Sequence, residues 1–452
     1  MGNHSQSQEQ PKPSWTRRLA FPRQPRPAYE LHDNERQFLD RSSDRHLANV
    51  SSEESKAYLL HLRTLADGRW LDDWDSLFDA EFKLCNTPYE KTIQLCYEMT
   101  GVLREHGAIS INRIVQKLQQ RRTVRADLDL SYCSAAHIMV FSLLGWLSLL
   151  YVPATQDQSD ELRINLQATQ LAIRDTVSTE KVGRPLDELL RSFGELLPLR
   201  IIGKVETGPQ TEPQSPRAML EVSHLNVSTL KDMANMQIIW VDSLSEHLAF
   251  DPITPSVSIF KCPSFCQLQK HSDRSILAIM LRDFYEEDEK PSDDYSPTKL
   301  LREVMLSYTL LFKADRRSRR IYQRSERARA SLGNGDQSFV DPCLDELCGY
   351  SISTSVTMPV RESYDANIEF PVFRARLERI QQHIRDIQPN RFMSLWRDRR
   401  DLRLWYTIWA VIVLSVIGLI IAAISVVLAG IQVNYAKLAY DLQLHEGQKA
   451  GE

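Results

Sequence analysis

Residues 404–436 read LWYTIWAVIVLSVIGLIIAAISVVLAGIQVNYA, a run without a single charged side chain. As an α-helix, its most apolar part, residues 404–431, would extend about 42 Å at roughly 1.5 Å per residue. That length is enough to cross a hydrocarbon core of about 30 Å. Aromatic residues that favour the headgroup level stand at both ends of the run: Trp405, Tyr406, Trp409 and Tyr435. The sequence therefore predicts one transmembrane helix at 404–433 and a short tail at 434–452.

Positive charge is concentrated on the N-terminal side of this span, at Arg391, Arg397, Arg399, Arg400 and Arg403. The positive-inside rule then places the long N-terminal part in the cytosol and the tail in the lumen or outside the cell. The first residues, MGNHSQSQEQPKPSW, contain no apolar segment of a signal peptide. We therefore expect a tail-anchored protein of the endoplasmic reticulum, of a downstream endomembrane or of the plasma membrane.

Small residues form one helical stripe along the span: Ser415, Gly418, Ala422, Ser425 and Ala429. Such a stripe allows a second helix to approach closely, which favours helix association in lipid. It predicts self-association, possible homodimers included, although small residues are also common in spans by chance.

The whole chain has the composition of an ordinary globular protein. It has 452 residues, of which 42% are hydrophobic and 25% charged, and a net charge of -4. This charge implies no bulk attraction to nucleic acid. The seven cysteines, an odd number on the predicted cytosolic side, argue against a disulfide framework.

The predicted fold class is mainly α with some β (α+β). The predicted segments are a disordered N-terminus (1–53), a helical, winged-helix-like domain (54–206), a Pro- and Gln-rich linker (207–219), a mixed α/β domain (220–371), a stalk helix with an Arg-rich membrane flank (372–403), the span and the tail.

The winged-helix prediction rests on three helices followed by two strands. The helices are expected at 89–106, from 111 onward and at 134–144, with Gly145 ending the third; the strands are expected at 146–152 and 162–166. The third helix, SAAHIMVFSLL, offers only His137 to a nucleic acid, whereas a recognition helix presents Arg, Lys, Asn or Gln. The module is therefore predicted to bind protein, and nucleic-acid binding is disfavoured.

Two further helices carry clear apolar faces. Residues 183–198, GRPLDELLRSFGELLP, predict an amphipathic helix that either packs internally or binds a partner. Residues 372–387 carry apolar residues at heptad spacing, which suits either a short coiled coil or packing on the second domain.

In the second domain, residues 237–242 and 256–261 predict strands, CPSFC (262–266) a loop and residues 300–312 an apolar helix. An acidic segment (286–297) precedes that helix and a basic segment (313–330) follows it. The basic segment predicts binding of anionic lipid at Arg316, Arg317, Arg319 and Arg320. RNA, the acidic segment itself or simple solvation with local ion pairs are the alternatives.

Candidate chemistry is sparse. Cys262-x3-Cys266 and Cys343-x4-Cys348 are weak candidates for zinc ligands, because zinc modules use tighter spacings, and reduced structural cysteines are the favoured interpretation. The chain lacks the G-x-S-x-G, G-x-x-x-x-G-K-[ST], G-x-G-x-x-G and H-E-x-x-H motifs. The sequence thus disfavours an enzyme and predicts no cofactor and no catalytic residue.

Four segments carry a resemblance to known sequences: GRPLDELLRSFGELLP (183–198), MQIIWVDSLSEHLAFD (236–251), IFKCPSFC (259–266) and RDLRLWYTIWAVIVL (400–414). Over residues 87–433 the chain resembles a group of uncharacterised fungal single-pass membrane-anchored proteins. The resemblance implies a fungal origin and this architecture, without a known activity.

The sequence therefore predicts a tail-anchored scaffold or regulatory adaptor with a large cytosolic protein-interaction region. One alternative is a membrane-tethered enzyme or accessory factor, for example in fungal secondary metabolism, with a site at 240–266 that includes Asp242, His247 and Cys262. Another is a nucleic-acid binder released from the membrane.

Overall fold

The computed structural model describes residues 31–43, 52–82, 85–128, 135–155, 161–166, 174–196, 219–270, 273–282, 297–332, 339–350, 358–387 and 402–449. Most of the predicted N-terminal disorder, the linker apart from Met219, and the acidic segment apart from Pro297 lie outside these ranges. So do Arg391, Arg397, Arg399 and Arg400.

The structure is mostly helical. The helices are α1 (Asp33–Ser43), α2 (Ser52–Arg69), α3 (Pro88–His106), α4 (Ile111–Gln120), α5 (Ala135–Ser148), α6 (Leu186–Arg191), α7 (Val222–Leu225), α8 (Val227–Ala234), α9 (Pro263–Gln269), α10 (Ile276–Leu281), α11 (Pro297–Tyr308), α12 (Arg316–Ile321), α13 (Arg327–Arg329), α14 (Pro342–Cys348), α15 (Ala366–Glu369), α16 (Arg374–Asp386) and α17 (Leu402–Lys449). Two π-helical turns, Thr309–Lys313 and Tyr322–Glu326, follow α11 and α12. Short 3-10 helices cover Asp72–Leu77 and Thr179–Gly183.

The strands are short and form small sheets. They are β1 (Glu161–Arg163), β2 (Thr176–Ser178), β3 (Met219–Glu221), β4 (Gln237–Val241), β5 (Phe250–Asp251), β6 (Ser256–Phe260) and β7 (Ser363–Asp365). Strands β1 and β2 pair antiparallel, as do β3 and β7, and the third sheet has the order β4-β6-β5 with β4 and β6 parallel. The described residues are thus consistent with the predicted α+β class.

Local chemistry explains where the early helices begin. Thr87 caps α3: its hydroxyl accepts from the Glu90 N–H at 3.2 Å, and the Glu90 carboxylate accepts from the Thr87 N–H at 3.4 Å. Ser110 caps α4, which buries Ile111, Ile114, Val115 and Leu118 on one face. These two helices lie where the apolar periodicity predicted them.

The third helix of the predicted winged helix does not end at Gly145. Helix α5 continues through that glycine to Ser148, so the strand predicted at 146–152 is wrong. A Cβ at position 145 would lie 2.8 Å from the Tyr151 ring and 3.0 Å from the Pro153 ring. Gly145 is therefore required by close packing and does not break the helix.

The predicted hairpin is reduced to an isolated antiparallel bridge between Pro153 and Ile164. Most of the pairing on this side instead joins β1 to β2. Three helices occur where they were predicted, but the first predicted strand is wrong and β1 pairs with a strand that was not predicted.

The predicted division into two domains does not separate two cores. Buried side chains from both halves form one hydrophobic cluster. The rings of Tyr58 and Phe265 lie 5.2 Å apart between their centroids, and the carbonyls of Leu149 and Leu150 accept hydrogen bonds from the N–H groups of Leu244 and Ser245. The two halves fold together.

The predicted stalk helix is part of this folded body. Leu377, Ile380 and Ile384 of α16 are fully buried, and the Gln381 side chain exchanges hydrogen bonds with the backbone of β3. The apolar residues at heptad spacing therefore pack on the second half of the chain, which was one of the two predicted alternatives.

Three more local predictions need correction. Helix α1 lies inside the segment predicted to be disordered, and it buries Phe38 and Leu39. The CPSFC segment forms the start of α9, because Pro263 occupies the first helical turn. The amphipathic helix predicted at 183–198 covers only Leu186–Arg191, since Gly194 adopts a φ of 81°. Its apolar residues Leu189, Leu190 and Phe193 are buried.

Candidate functional site

The three residues of the predicted enzyme site occupy different environments. His247 is fully buried: its Nδ1 accepts from the Phe260 N–H at 3.2 Å, so Nε2 carries the proton and donates to the Ser307 hydroxyl at 2.8 Å. Burial, assisted by the charge of Arg376, lowers the pKa of His247 to about 3. His247 is thus a neutral core residue that ties β6 to α11.

Asp242 belongs to a charged cluster between the two halves of the chain. It directly follows β4, and Lys261 directly follows the parallel neighbour β6, which places the carboxylate 2.9 Å from the ammonium group. His61 of α2 approaches the same carboxylate at 3.6 Å. Burial lowers the pKa of His61 to about 4, although the carboxylate opposes that shift. These contacts join α2 to the β4-β6-β5 sheet.

Cys262 lies with the other metal-ligand candidates in the core. Cys262, Cys266, Cys343 and Cys348 are buried free thiols, and burial is the largest cause that raises the pKa of each. Within the described ranges, no group of three or more His, Cys, Asp or Glu side chains has the arrangement of a metal site. The four cysteines lie in the core, and zinc binding at them stays a weak prediction from the sequence.

A buried carboxylate organises this cysteine region. Asp341 caps α14 and accepts from the Ser264 N–H at 3.0 Å, the Ser264 hydroxyl at 2.7 Å and the Cys343 N–H at 2.8 Å. Burial raises the pKa of Asp341 to about 6, and these donors only partly oppose it. Asp341 thereby joins α9 to α14.

Further buried ionic groups were missed by the sequence arguments. The Glu326 carboxylate is fully buried and accepts from Lys231, from Trp240 Nε1 at 3.2 Å and from Arg329 at 3.2 Å. Arg376 is 6% exposed and donates to the carbonyls of Ser245 and His247 at 2.7 and 2.5 Å. In sequence, both residues look like ordinary surface charges.

The basic segment folds into one helical rod, residues 316–329, in which the π-helical turn joins α12 to α13. Every fourth residue is buried: Ser318, Tyr322, Glu326 and Ala330. Half a turn away, every fourth residue is exposed: Arg316, Arg320, Arg324 and Ala328. A four-residue repeat drifts around a regular α-helix, and the wider π-helical turn compensates for this drift. We call Arg316, Arg320 and Arg324 the arginine stripe.

Most other cations of this rod are neutralised by the protein itself. Arg317 pairs with Asp232 at 2.7 Å, Arg327 with Asp345 at 2.7 Å, and Arg329 with Glu326. Among the residues that the structure describes, the arginine stripe forms no ion pair. Arg319 stacks on the Tyr350 ring at 4.8 Å from its centroid. Of the four predicted lipid-binding arginines, Arg317 is therefore already paired.

Helix α17 contains the predicted span. Its apolar stretch, Trp409–Ala439, has 31 residues, and the most apolar 18-residue window within it has a mean hydropathy of 3.1 with none of that window buried. The structure thus has one C-terminal apolar helix that is long enough to cross a membrane. Tyr406 and Tyr435 are 65% and 72% exposed, Trp409 is partly exposed, and the side chains of Trp405 and Arg403 lie outside the description.

The small-residue stripe is exposed along this helix. The hydroxyls of Ser415 and Ser425 donate to the carbonyls of Val411 and Ile421 in the preceding turn, at 2.7 and 2.9 Å. A Cβ at Gly418 would meet no neighbour within 4 Å. The stripe is therefore accessible on this helix, and its association with a second helix stays a prediction.

No family model, no curated protein and no solved structure matches this chain. The resemblance to fungal membrane-anchored proteins accordingly remains a prediction from four sequence segments.

Proposed function

We propose that the protein is a single-pass, tail-anchored membrane scaffold or regulatory adaptor whose folded N-terminal part binds other proteins in the cytosol. One observation carries the proposal: none of the most apolar window of α17 is buried inside the protein, whereas the shorter apolar helix α5 is buried. An exposed apolar surface of this length is not tolerated in water, and a bilayer is the environment that satisfies it.

The environments of the candidate reactive groups support a role in binding over one in catalysis. His247, Cys262 and Asp341 are all fully buried and hydrogen-bonded to other parts of the core. In the winged-helix-like region that we propose for α3 to β2, helix α5 buries all but Ala135 and Ile138. A helix packed in that way supports protein contacts and not the reading of a DNA groove.

The proposed subcellular location is the endoplasmic reticulum, a downstream endomembrane or the plasma membrane, with the N-terminus in the cytosol. The asymmetry of arginines around the span supports this orientation. The small-residue stripe supports self-association within the membrane.

Protease protection combined with proximity labelling tests the proposal. The full chain would carry an N-terminal tag and a labelling enzyme, and sealed microsomes from these cells would be washed with alkaline carbonate before digestion. We expect the chain to stay in the membrane, the tag to be digested and the labelled neighbours to be cytosolic proteins on one organelle. A chain released by carbonate contradicts the anchor, and a protected tag contradicts the orientation.

A further inference from the structure

We propose that the arginine stripe docks the folded part of the protein onto anionic lipid headgroups of the membrane that holds α17. The inference rests on the proposed membrane anchor and names the surface that faces the bilayer. It concerns Arg316, Arg320 and Arg324, with Arg319 at their flank.

The first argument is the separation of charges around the rod. Arg317 and Arg327 meet acids from other elements, Asp232 and Asp345, and Arg329 meets the buried Glu326 of the rod itself. The exposed stripe meets no carboxylate among the described residues, and the uncharged Ala328 continues it. A solvated face with local ion pairs, the alternative interpretation of the basic segment, would place acids among these cations.

The second argument is rigidity. The rod is held against the protein by the buried Glu326 network and by Ser318, whose hydroxyl accepts from the Ser228 N–H of α8 at 2.9 Å. Tyr350 donates from its hydroxyl to the Arg316 carbonyl at 3.1 Å. The three guanidinium groups are therefore presented from one fixed helical face and can meet a flat anionic surface together.

The third argument is the length of the tether. Helix α16 is packed in the folded part, and α17 begins at Leu402, so the connecting chain from Ile387 spans at most about 50 Å when extended. A short tether keeps the stripe at an effective concentration near the millimolar range beside the bilayer. Each arginine near an anionic leaflet adds a factor of about five in binding, so three supply a factor on the order of 100. This modest attraction is sufficient for docking because the short tether already holds the arginine stripe close to the membrane surface.

The guanidinium stripe lacks what a single-stranded nucleic-acid platform needs. The exposed residues near it include Gln323, Ser325 and Ala328, and the ring of Tyr350 is already covered by Arg319. Base stacking on aromatic side chains supplies much of the affinity for single strands. We therefore commit to lipid and make RNA an outcome of the test.

The experiment uses the full chain in lipid nanodiscs and measures energy transfer from a dye at Ala328→Cys to an acceptor on lipid headgroups. Cys85 and Cys133 are replaced by serine, since the other native cysteines are buried. The discs contain phosphatidylcholine alone or a mixture with phosphatidylserine. Both faces of a disc are accessible, so the orientation in cells does not enter.

We expect stronger transfer in anionic discs, and weaker transfer as salt rises from about 0.1 M to about 1 M. The triple variant Arg316→Gln, Arg320→Gln, Arg324→Gln should reduce the docking equilibrium on the order of 100-fold. The matched control, Arg36→Gln, Arg113→Gln and Arg184→Gln, removes the same charge from three exposed arginines elsewhere and should leave docking unchanged.

Equal transfer in both lipids, an unaffected triple variant, or an equal loss in the control would overturn the proposal. An RNA oligonucleotide that binds through the stripe in neutral discs, without any preference for anionic lipid, would also overturn it. Failure of the membrane anchor itself is a separate result, because the chain would then not co-purify with discs of either lipid.

Discussion

The buried carboxylate of Glu326 offers a direct test of how the basic rod is held. It accepts hydrogen bonds from Lys231 of α8, Trp240 of β4 and Arg329 of the rod itself. Replacement by methionine keeps most of the side-chain volume and removes the acceptor for all three donors. The perturbation is therefore electrostatic and not a cavity.

Removing one partner of a buried ion pair costs about 3–5 kcal/mol. The remaining cations here reach solvent, since the Lys231 and Arg329 side chains are 26% and 49% exposed. They regain part of their hydration, so we expect a loss of about 2–3 kcal/mol in the free energy of unfolding. Trp240 Nε1 would also lose its acceptor.

The matched control is Glu378→Met. Glu378 pairs with Arg374 one turn away on the surface of α16, where the two side chains are 37% and 22% exposed. Such a pair contributes about 0.5 kcal/mol or less. Both variants would be unfolded with urea as full chains in nanodiscs, followed by tryptophan fluorescence.

At a denaturant slope of about 3 kcal/mol per molar, Glu326→Met should lower the urea midpoint by nearly 1 M and the control by less than about 0.2 M. Equal midpoints for the two variants would show that the buried network does not stabilise the rod. The rigidity argument for the arginine stripe would then fail with it.

Four other outcomes follow from the same structure. The folded protein holds His247 with a pKa of about 3, so at pH 4 the imidazole takes up a proton only when the protein unfolds. The free energy of unfolding should therefore fall by about 3 kcal/mol between pH 7 and pH 4. His247→Gln should remove that loss in urea titrations. The contribution of Asp341 to the pH dependence of stability has the opposite sign. Its raised pKa of about 6 stabilises the fold below pH 4, and this stabilisation is lost as the pH rises to 6. Asp341→Asn should flatten this part of the plot of unfolding free energy against pH. Gly418→Leu should weaken self-association of the span in a membrane dimerisation assay, whereas Gly430→Leu, about 120° away around the helix, should not. Gly145→Ala should destabilise the fold by more than 1 kcal/mol in the same urea assay, since its Cβ would contact Tyr151.

Patterns that depend on one element alone were predictable from the sequence. The apolar helix α17, the strands β4 and β6 and the helix α11 all occur where apolar runs or periodicity placed them. Each of these signals is a repeat of hydrophobic residues, which burial imposes on the sequence directly.

Features that depend on a distant partner were not predictable. The helix α16 carries the same apolar repeat whether it forms a coiled coil or packs on β3, and only the partner decides between them. Gly145 looks like a helix terminator until Tyr151 is seen against it. Helix α1 has few apolar residues, and its burial comes from packing against α3.

The charge distribution of the basic segment also depends on distant partners and was not predictable from the sequence. In sequence, its arginines are equivalent and suggest one uniform patch, and Glu326 reads as a local partner for its neighbours. In the structure, the buried four-residue repeat turns Glu326 inward and leaves Arg316, Arg320 and Arg324 outward. The π-helical turn is what keeps the two repeats on opposite sides for three turns. Because the acids that neutralise Arg317 and Arg327 come from α8 and α14, the division into paired and exposed cations is a property of the tertiary fold. Under the proposed membrane anchor, a surface that the fold leaves basic has anionic headgroups as its nearest abundant counter-charge.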